Sequence, residues 1–181
     1  MVYVLRFNVL QDVRLLDSQA EGHAGDATRE GDGASAGEAI LVFLPGLREI
    51  DDVAAAMDLH PILGDPSRCL LLKLSSSGGG GGGSTAAVFA PVPLGMTKII
   101  LSTNVAETSI TIDDVTSVID TGTHKEMAID QEPPDAVGSA KSGSGRAFAA
   151  SSLRMCRVSR AAAAQRAGRA GRTRPGECAA L

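Results

Sequence analysis

Hydrophobic positions in this chain fall into short continuous runs, separated by stretches with a helical or a polar rhythm. Ala39 to Leu44 is an unbroken apolar run closed by Pro45-Gly46, as expected of a strand buried on both faces. From Leu47 to Leu59 the residues Ile50, Val53, Ala54 and Met57 recur at helical spacing, which predicts a helix with one buried stripe. Strand, turn and helix make a first βα unit. Cys69 to Leu74 reads as another buried strand, Lys98 to Ser102 as a third and Val115 to Thr121 as a fourth, with the polar segment Thr103 to Asp114 at a strand's C-terminal edge. Thr123 to Ile129 and Leu153 to Val158 can pair as an antiparallel hairpin. Ser159 is a suitable N-cap for a helix entered through Ala161 to Ala164. Thr173-Arg174-Pro175-Gly176 then reads as a stop and turn, and Glu177 to Leu181 as the start of a further strand. Alternating strands and helices imply an α/β fold on a parallel, right-handed sheet. No internal repeat is visible.

Three stretches break the rhythm. Met1 to Leu16 alternates loosely enough for a strand or a short helix and has no assignable role, and residues 17–37 are acidic and rich in Gly, Ala and Ser, a flexible linker by composition. Residues 75–84 contain six consecutive glycines, which have no side chains to pack and a large unfolded-state entropy, so a disordered loop is expected there. Residues 131–152, the enlarged hairpin tip, carry Pro, Gly and Ser and are expected to be disordered as well. The domain is therefore placed at 38–181, after an unplaced segment and linker at 1–37.

Composition sharpens this picture in two ways. The chain of 181 residues is 44% hydrophobic but only 3% aromatic and has no Trp, so its core must be aliphatic. The formal net charge of −4 hides a division: residues 1–140 hold 8 basic and 20 acidic side chains, residues 141–181 hold 9 basic and 1 acidic. A polyanionic partner would meet the C-terminal quarter. Cys69, Cys156 and Cys178 form no C-x-x-C pair and their odd number suggests no disulfide framework; His23, His60 and His124 fall in no ligand spacing, so no metal site is expected. No apolar run approaches the roughly 20 residues that span a bilayer. The N-terminus has no features of a cleaved targeting peptide.

The most informative string is Gln165-Arg166-Ala167-Gly168-Arg169-Ala170-Gly171-Arg172. On a continuing helix Gln165, Arg169 and Arg172 would stand at i, i+4 and i+7 and share a face, with Gly168 and Gly171 leaving room beside it. Guanidinium forks match phosphate oxygens bidentately and stay charged at any working pH, which suits them to a phosphoryl group in transfer. An arginine- and glycine-rich tail that binds nucleic acid without chemistry is the alternative.

Together with Leu101-Ser102-Thr103-Asn104-Val105-Ala106-Glu107-Thr108-Ser109-Ile110-Thr111-Ile112-Asp113-Asp114-Val115 and Ile40-Leu41-Val42-Phe43-Leu44-Pro45-Gly46, this string resembles the C-terminal motor-lobe motifs of DEAH-box RNA helicases, in the family's order. The resemblance covers residues 38–181 apart from the two insertions. It implies a RecA-like parallel sheet flanked by helices, the second lobe of a P-loop NTPase, with a helix ending at Ala86-Ala87-Val88-Phe89 after the second strand. It implies further that this lobe closes over ATP against an N-terminal RecA-like lobe. Gln165 would then position the attacking water and the γ-phosphate, and Arg169 and Arg172 would act as arginine fingers. Phe89 corresponds to the aromatic that stacks on adenine, Thr111 to a nucleotide-sensing residue and Asp113 to a carboxylate near the ribose hydroxyls. Thr103, Asn104 and Gly46 fall along the RNA path, while Glu107 and Thr108 would tie their loop to the lobe. The residues also allow a core phenylalanine at 89, a polar capping turn at Thr103-Asn104 and a simple Pro-Gly turn at Gly46. The hairpin matches the element that parts strands at a duplex junction, and its altered tip puts unwinding in question.

Two parts of a complete ATP site are absent from the string of residues. Gly138 and Gly143 have the glycine spacing of G-x-x-x-x-G-K-[ST], but Ser144 stands where Lys is required. No Asp-Glu pair occurs, so the acidic box that would hold Mg²⁺ is absent too. The expectation is a fragment of an ATP-dependent, intracellular RNA helicase of the cytoplasm or nucleus, with RNA and the N-terminal lobe as partners. A non-catalytic lobe that binds RNA or docks on a helicase, and a degenerate gene fragment, are the alternatives.

Overall fold

The computed structural model describes residues 38–75, 85–93, 95–108, 110–129, 151–172 and 175–181. The expectations for 1–37, for the glycine tract at 78–83 and for 131–150 lie outside them. Five strands form one parallel sheet: β1 (Glu38–Phe43), β2 (Cys69–Leu74), β3 (Thr97–Ser102), β4 (Val115–Asp120) and β7 (Glu177–Ala180), in the order β2-β3-β1-β4-β7. Among the described residues four helices accompany them, α1 (Leu47–Asp58), α2 (Thr85–Phe89), α3 (Val105–Thr108) and α4 (Arg160–Ala167). The α/β parallel sheet flanked by helices is thus the observed architecture.

Period-two alternation splits each central strand between two cores. Ile40, Val42, Leu44, Ile99, Leu101 and Ile119 point to one face and pack on Ile50, Val53, Ala54 and Met57 of α1. Ala39, Leu41, Phe43, Ile100 and Val118 point to the other, against Val88 of α2, Ala106 of α3 and Ile112. Because β1 is covered on both sides, five of its six residues are buried and its sequence reads as one apolar run. Cys69–Leu74 departs from the buried strand expected there: it forms an edge of the sheet and only Leu72 and Leu74 are buried. Apolar content alone does not separate an edge strand from a central one.

The Thr103–Asp114 segment also differs from its expected placement. β3 and β4 both run parallel to β1, which lies between them, so the chain leaving the C-terminal end of β3 must return to the N-terminal end of β4. Thr103 and Asn104 therefore stand at one edge of the sheet and Asp113 at the other. Between them Ala106 and Ile112 bury into the sheet's second face.

The hairpin forms as read, from β5 (Thr123–Ile129) and β6 (Ser151–Arg157), with Thr123 opposite Arg157 and Ile129 opposite Ser151. Its second strand begins two residues before the expected Leu153, so Ser151 and Ser152 belong to the ladder rather than to the tip. Lys125 Nζ closes its base on both oxygens of Glu49 in α1, at 2.8 and 2.7 Å. Among the described residues no helix is long and apolar enough to cross a membrane.

One face of the hairpin carries a coupled acid and thiol. His124 lies opposite Cys156 and Glu126 opposite Arg154. The Cys156 thiol donates to the Glu126 carboxylate, which holds Glu126 below the usual carboxylate value, with His124 helping, and pushes Cys156 above the usual thiol value. The carboxylate's contribution is present above its unfolded value and is lost as pH falls through the lowered one. The thiol's is present below its unfolded value and is lost as pH rises through the raised one. Alkylation of Cys156 by iodoacetamide is therefore expected to begin at a higher pH than for an ordinary thiol, and Glu126→Gln to move that onset back down. Peptide mass spectrometry across a pH series reads both, and an onset that the substitution leaves in place excludes the contact.

Candidate functional site

The Gln165 string enters the fold through α4. Ser159 caps it as expected, its hydroxyl accepting from Ala162 N at 3.1 Å, and the alanine run supplies helix propensity without bulk. The helix does not continue through the arginines. Gly168 N still bonds Ala164 O, but Arg169 N and Ala170 N bond Arg166 O and Ala167 O, the tighter spacing of a last turn. Gly171 then takes φ +76, a left-handed conformation that a side chain would strain. Gln165, Arg169 and Arg172 therefore do not form one helical face. Gln165 is exposed on the last helical turn, and the two arginines project from the turn that follows.

Arg166, next in sequence to Gln165, faces the opposite way and is 0% exposed. Its Nη1 donates to Asp120 Oδ1 at 2.7 Å and its Nε to Glu107 Oε2 at 3.2 Å. The guanidinium also lies 4.8 Å from the centroid of the Phe43 ring, within cation–π range. The same Asp120 oxygen accepts Gly122 N at 2.8 Å, at the entry to the hairpin. The expectation that Glu107 ties its loop to the lobe holds in this contact.

Arg169 and Arg172 both reach the segment that begins with α3. Arg169 Nη1 donates to Ile110 O at 2.9 Å and its Nη2 to Glu107 O. Arg172 Nη1 donates to Thr111 Oγ1 at 3.1 Å. Thr111 and Asp113 are exposed around the buried Ile112, and Arg172 is exposed beside them. The Arg172 charge and the Thr111 hydroxyl are thus in contact at an exposed point, with Asp113 two residues further along the chain. Burial, and after it the charge of Arg172, pull the Arg169 guanidinium below its ordinary value, while Glu107 acts the other way. Two cations held this close favour an anion beside them.

Phe89, at the end of α2, is 50% exposed while its neighbour Val88 is buried. That excludes the core phenylalanine. Thr103 and Asn104 precede α3, whose first turn bonds Glu107 N to Asn104 O at 2.9 Å; Asn104 is exposed and Thr103 half-buried. Gly46 is buried under the hairpin base, where an added Cβ would lie 2.9 Å from Lys125 Nζ and 3.0 Å from Glu49 Oε2. Those atoms are the ends of two flexible side chains and Gly46 is in extended backbone, so a larger residue would displace the ion pair rather than strain the chain, and a Pro-Gly turn remains sufficient to explain the glycine.

Sequence reasoning passed over Arg166, Asp120 and Lys98, all buried and charged. The available signal was a charged residue at the start or end of a run otherwise predicted to be fully buried, as Lys98 is before Ile99-Ile100-Leu101 and Asp120 after Ile119.

Residues 84–174 match the family described as "Helicase conserved C-terminal domain". The chain is 40% identical to the putative DEAH-box ATP-dependent helicase UM11114 of Mycosarcoma maydis over 169 residues, 93% of this chain and 9% of that protein. It is 46% identical to the putative ATP-dependent RNA helicase DHX57 of Homo sapiens over 94 residues, 51% of this chain and 7% of the relative. The crystal structure of the E. coli DExH-box NTPase HrpB superposes with a TM-score of 0.60 at 32% identity, covering 81% of this chain and 16% of that one. The chain spans less than a tenth of the length of these two curated relatives.

Removing one partner of a buried ion pair leaves the other uncompensated. Arg166→Met strands Asp120, which is 3% exposed, and is expected to destabilise the fold by about 3–5 kcal/mol. Urea unfolding followed by circular dichroism measures it, and a loss below about 1 kcal/mol, the range of a surface pair, would remove Arg166 as the anchor.

Proposed function

The chain belongs to the helicase conserved C-terminal domain family of DEAH-box helicases, and we propose that it forms one wall of an ATP site completed by an N-terminal RecA-like lobe, in an ATP-dependent RNA helicase. One observation carries this reading: Arg169 and Arg172 converge on the segment that holds Thr111 and leads to Asp113. The donor set suits a nucleotide. Guanidinium forks match phosphate oxygens, a carboxylate matches ribose hydroxyls, and the exposed Phe89 ring offers a face for adenine. Gln165 orients the attacking water, and Arg169 and Arg172 take up negative charge as it develops on the transferred phosphoryl group. Both guanidinium groups leave neutral partners for this task, and Arg169, disfavoured by burial and by Arg172, gains most from an arriving anion.

Among the described residues no group of three or more His, Cys, Asp or Glu side chains could hold a metal ion. Mg²⁺ supplies charge neutralisation between phosphates when bound with ATP, and in this reading the opposing lobe provides its protein ligands. Thr103 and Asn104 meet RNA phosphates through hydroxyl, amide and main-chain groups without reading sequence. Gly46, being buried, contributes by letting Lys125 and Glu49 close behind that path. An intracellular location accords with an RNA substrate.

In an intact helicase carrying this chain as its second lobe, Arg169→Ala or Arg172→Ala is expected to lower ATPase kcat by about a thousandfold or more. The 181 residues alone should show no turnover, and Arg169-dependent hydrolysis by them would overturn the half-site assignment. A second reading, a lobe that holds RNA without catalysis, is favoured by one fact: both arginines already have partners within the lobe. It requires a salt-dependent RNA affinity that survives Arg169→Ala and Arg172→Ala but falls with Thr103→Ala and Asn104→Ala. Fluorescence anisotropy with a labelled single strand separates the two.

A further inference from the structure

We infer that Lys98 is a positioning residue for nucleotide binding, holding the base-facing and sugar-facing parts of the surface in one frame. The inference rests on the nucleotide reading above and extends it to a residue that touches no nucleotide. Lys98 is 0% exposed. Its ammonium has three hydrogens and three acceptors: Val88 O at 3.0 Å, Ala90 O at 3.0 Å and Asp114 Oδ2 at 2.7 Å.

The first two acceptors flank Phe89. The helix α2 has only five residues, too few to be stable alone, and its last carbonyls have no partner within it. The buried ammonium supplies that missing C-terminal cap. Val88 fills the core beneath, and Phe89 is left exposed at a fixed point between two tethered carbonyls. The third acceptor belongs to the residue after Asp113, at the start of β4. Oxygens from two segments remote in sequence thereby share one nitrogen, and Phe89 and Asp113 each sit one residue away from an anchored atom.

An apolar side chain of similar length would fill this space with less desolvation. What only a cation does here is join three acceptors from two segments. A purely structural lysine would also hold the fold together, so the test must read placement separately from stability.

The chain has no Trp, so Phe89→Trp introduces a single fluorophore at the position in question. In the 181-residue chain, Lys98→Met is expected to raise acrylamide quenching of that probe about twofold or more, with Asp114→Asn as the milder variant should Lys98→Met fail to fold. Thermal melts followed by circular dichroism identify the folded variants. In an intact helicase retaining Phe89, the same substitutions should raise KM for ATP about tenfold and leave kcat within about twofold, since misplacement of binding groups by about 1 Å is costly. Folded variants with unchanged quenching overturn the inference. Raised quenching with an unchanged KM also overturns it, and does so without touching the arginine assignment, which is read by kcat in Arg169→Ala and Arg172→Ala.

Discussion

A single guanidinium group joins most of what this lobe presents to a ligand. Arg166 binds Asp120 at the end of β4, Glu107 in α3 and the Phe43 ring at the end of β1, and it belongs to α4. Taking such a group and two carboxylates out of water costs several kcal/mol for each ion, and their attraction offsets this only when the geometry is good. The cluster is therefore better understood as setting position than as adding net stability. An apolar contact would let α4 slide along the sheet, whereas a fork aimed at two carboxylates allows one placement. Arg169 and Arg172 follow three and six residues later, so their reach is fixed from this anchor.

The same cluster accounts for how the fold tolerates a long connection inside the hairpin. Asp120 Oδ1 holds Gly122 at the entry to β5, and Val158 N returns to Gly122 O at 2.9 Å where β6 leaves. Ile129 and Ser151 are directly paired. The ladder is therefore paired up to its last described residues. The path from β4 to α4, and with it the arginine turn, is set below that pair.

Strands and hairpin were legible in the sequence to within two residues because continuous apolar runs and cross-strand alternation depend on local burial. The fate of the arginines was not. Spacing at i, i+4 and i+7 describes a face only while the helix lasts, and two glycines three residues apart end it: Gly168 caps, and Gly171 turns left-handed. Nor could strand order be read, since β2 at the edge is as apolar as β1 at the centre. Burial of Arg166 was invisible for a related reason, whereas Lys98 and Asp120 were marked only by standing at the ends of apolar runs. A charged residue enters a core when partners converge on it from elsewhere in the chain, and a string of letters carries no such convergence. Proximity of Arg172 to Thr111, by contrast, accords with what the family resemblance implied, since it assigned both residues to the same nucleotide.

The segment from Thr103 to Asp113 has one more consequence. It begins at one edge of the sheet, where its polar residues are proposed to meet RNA, and ends at the other, where they are proposed to meet a nucleotide. Arg166 takes the Glu107 carboxylate in its middle, and Arg169 takes the carbonyls of Glu107 and Ile110. In the proposed reading a phosphate oxygen competes with those carbonyls for Arg169. When the anion wins, two backbone acceptors midway along the segment lose a charged donor, while Arg166 still fixes Glu107. The free energy available to move the RNA-facing end is then limited to the difference between Arg169 on carbonyls and Arg169 on phosphate. Because Ala106 and Ile112 stay packed in the core on either side of Glu107 and Ile110, that difference acts on a short stretch between two fixed points, and a small displacement at the arginine is confined to that stretch rather than passed on to Asn104.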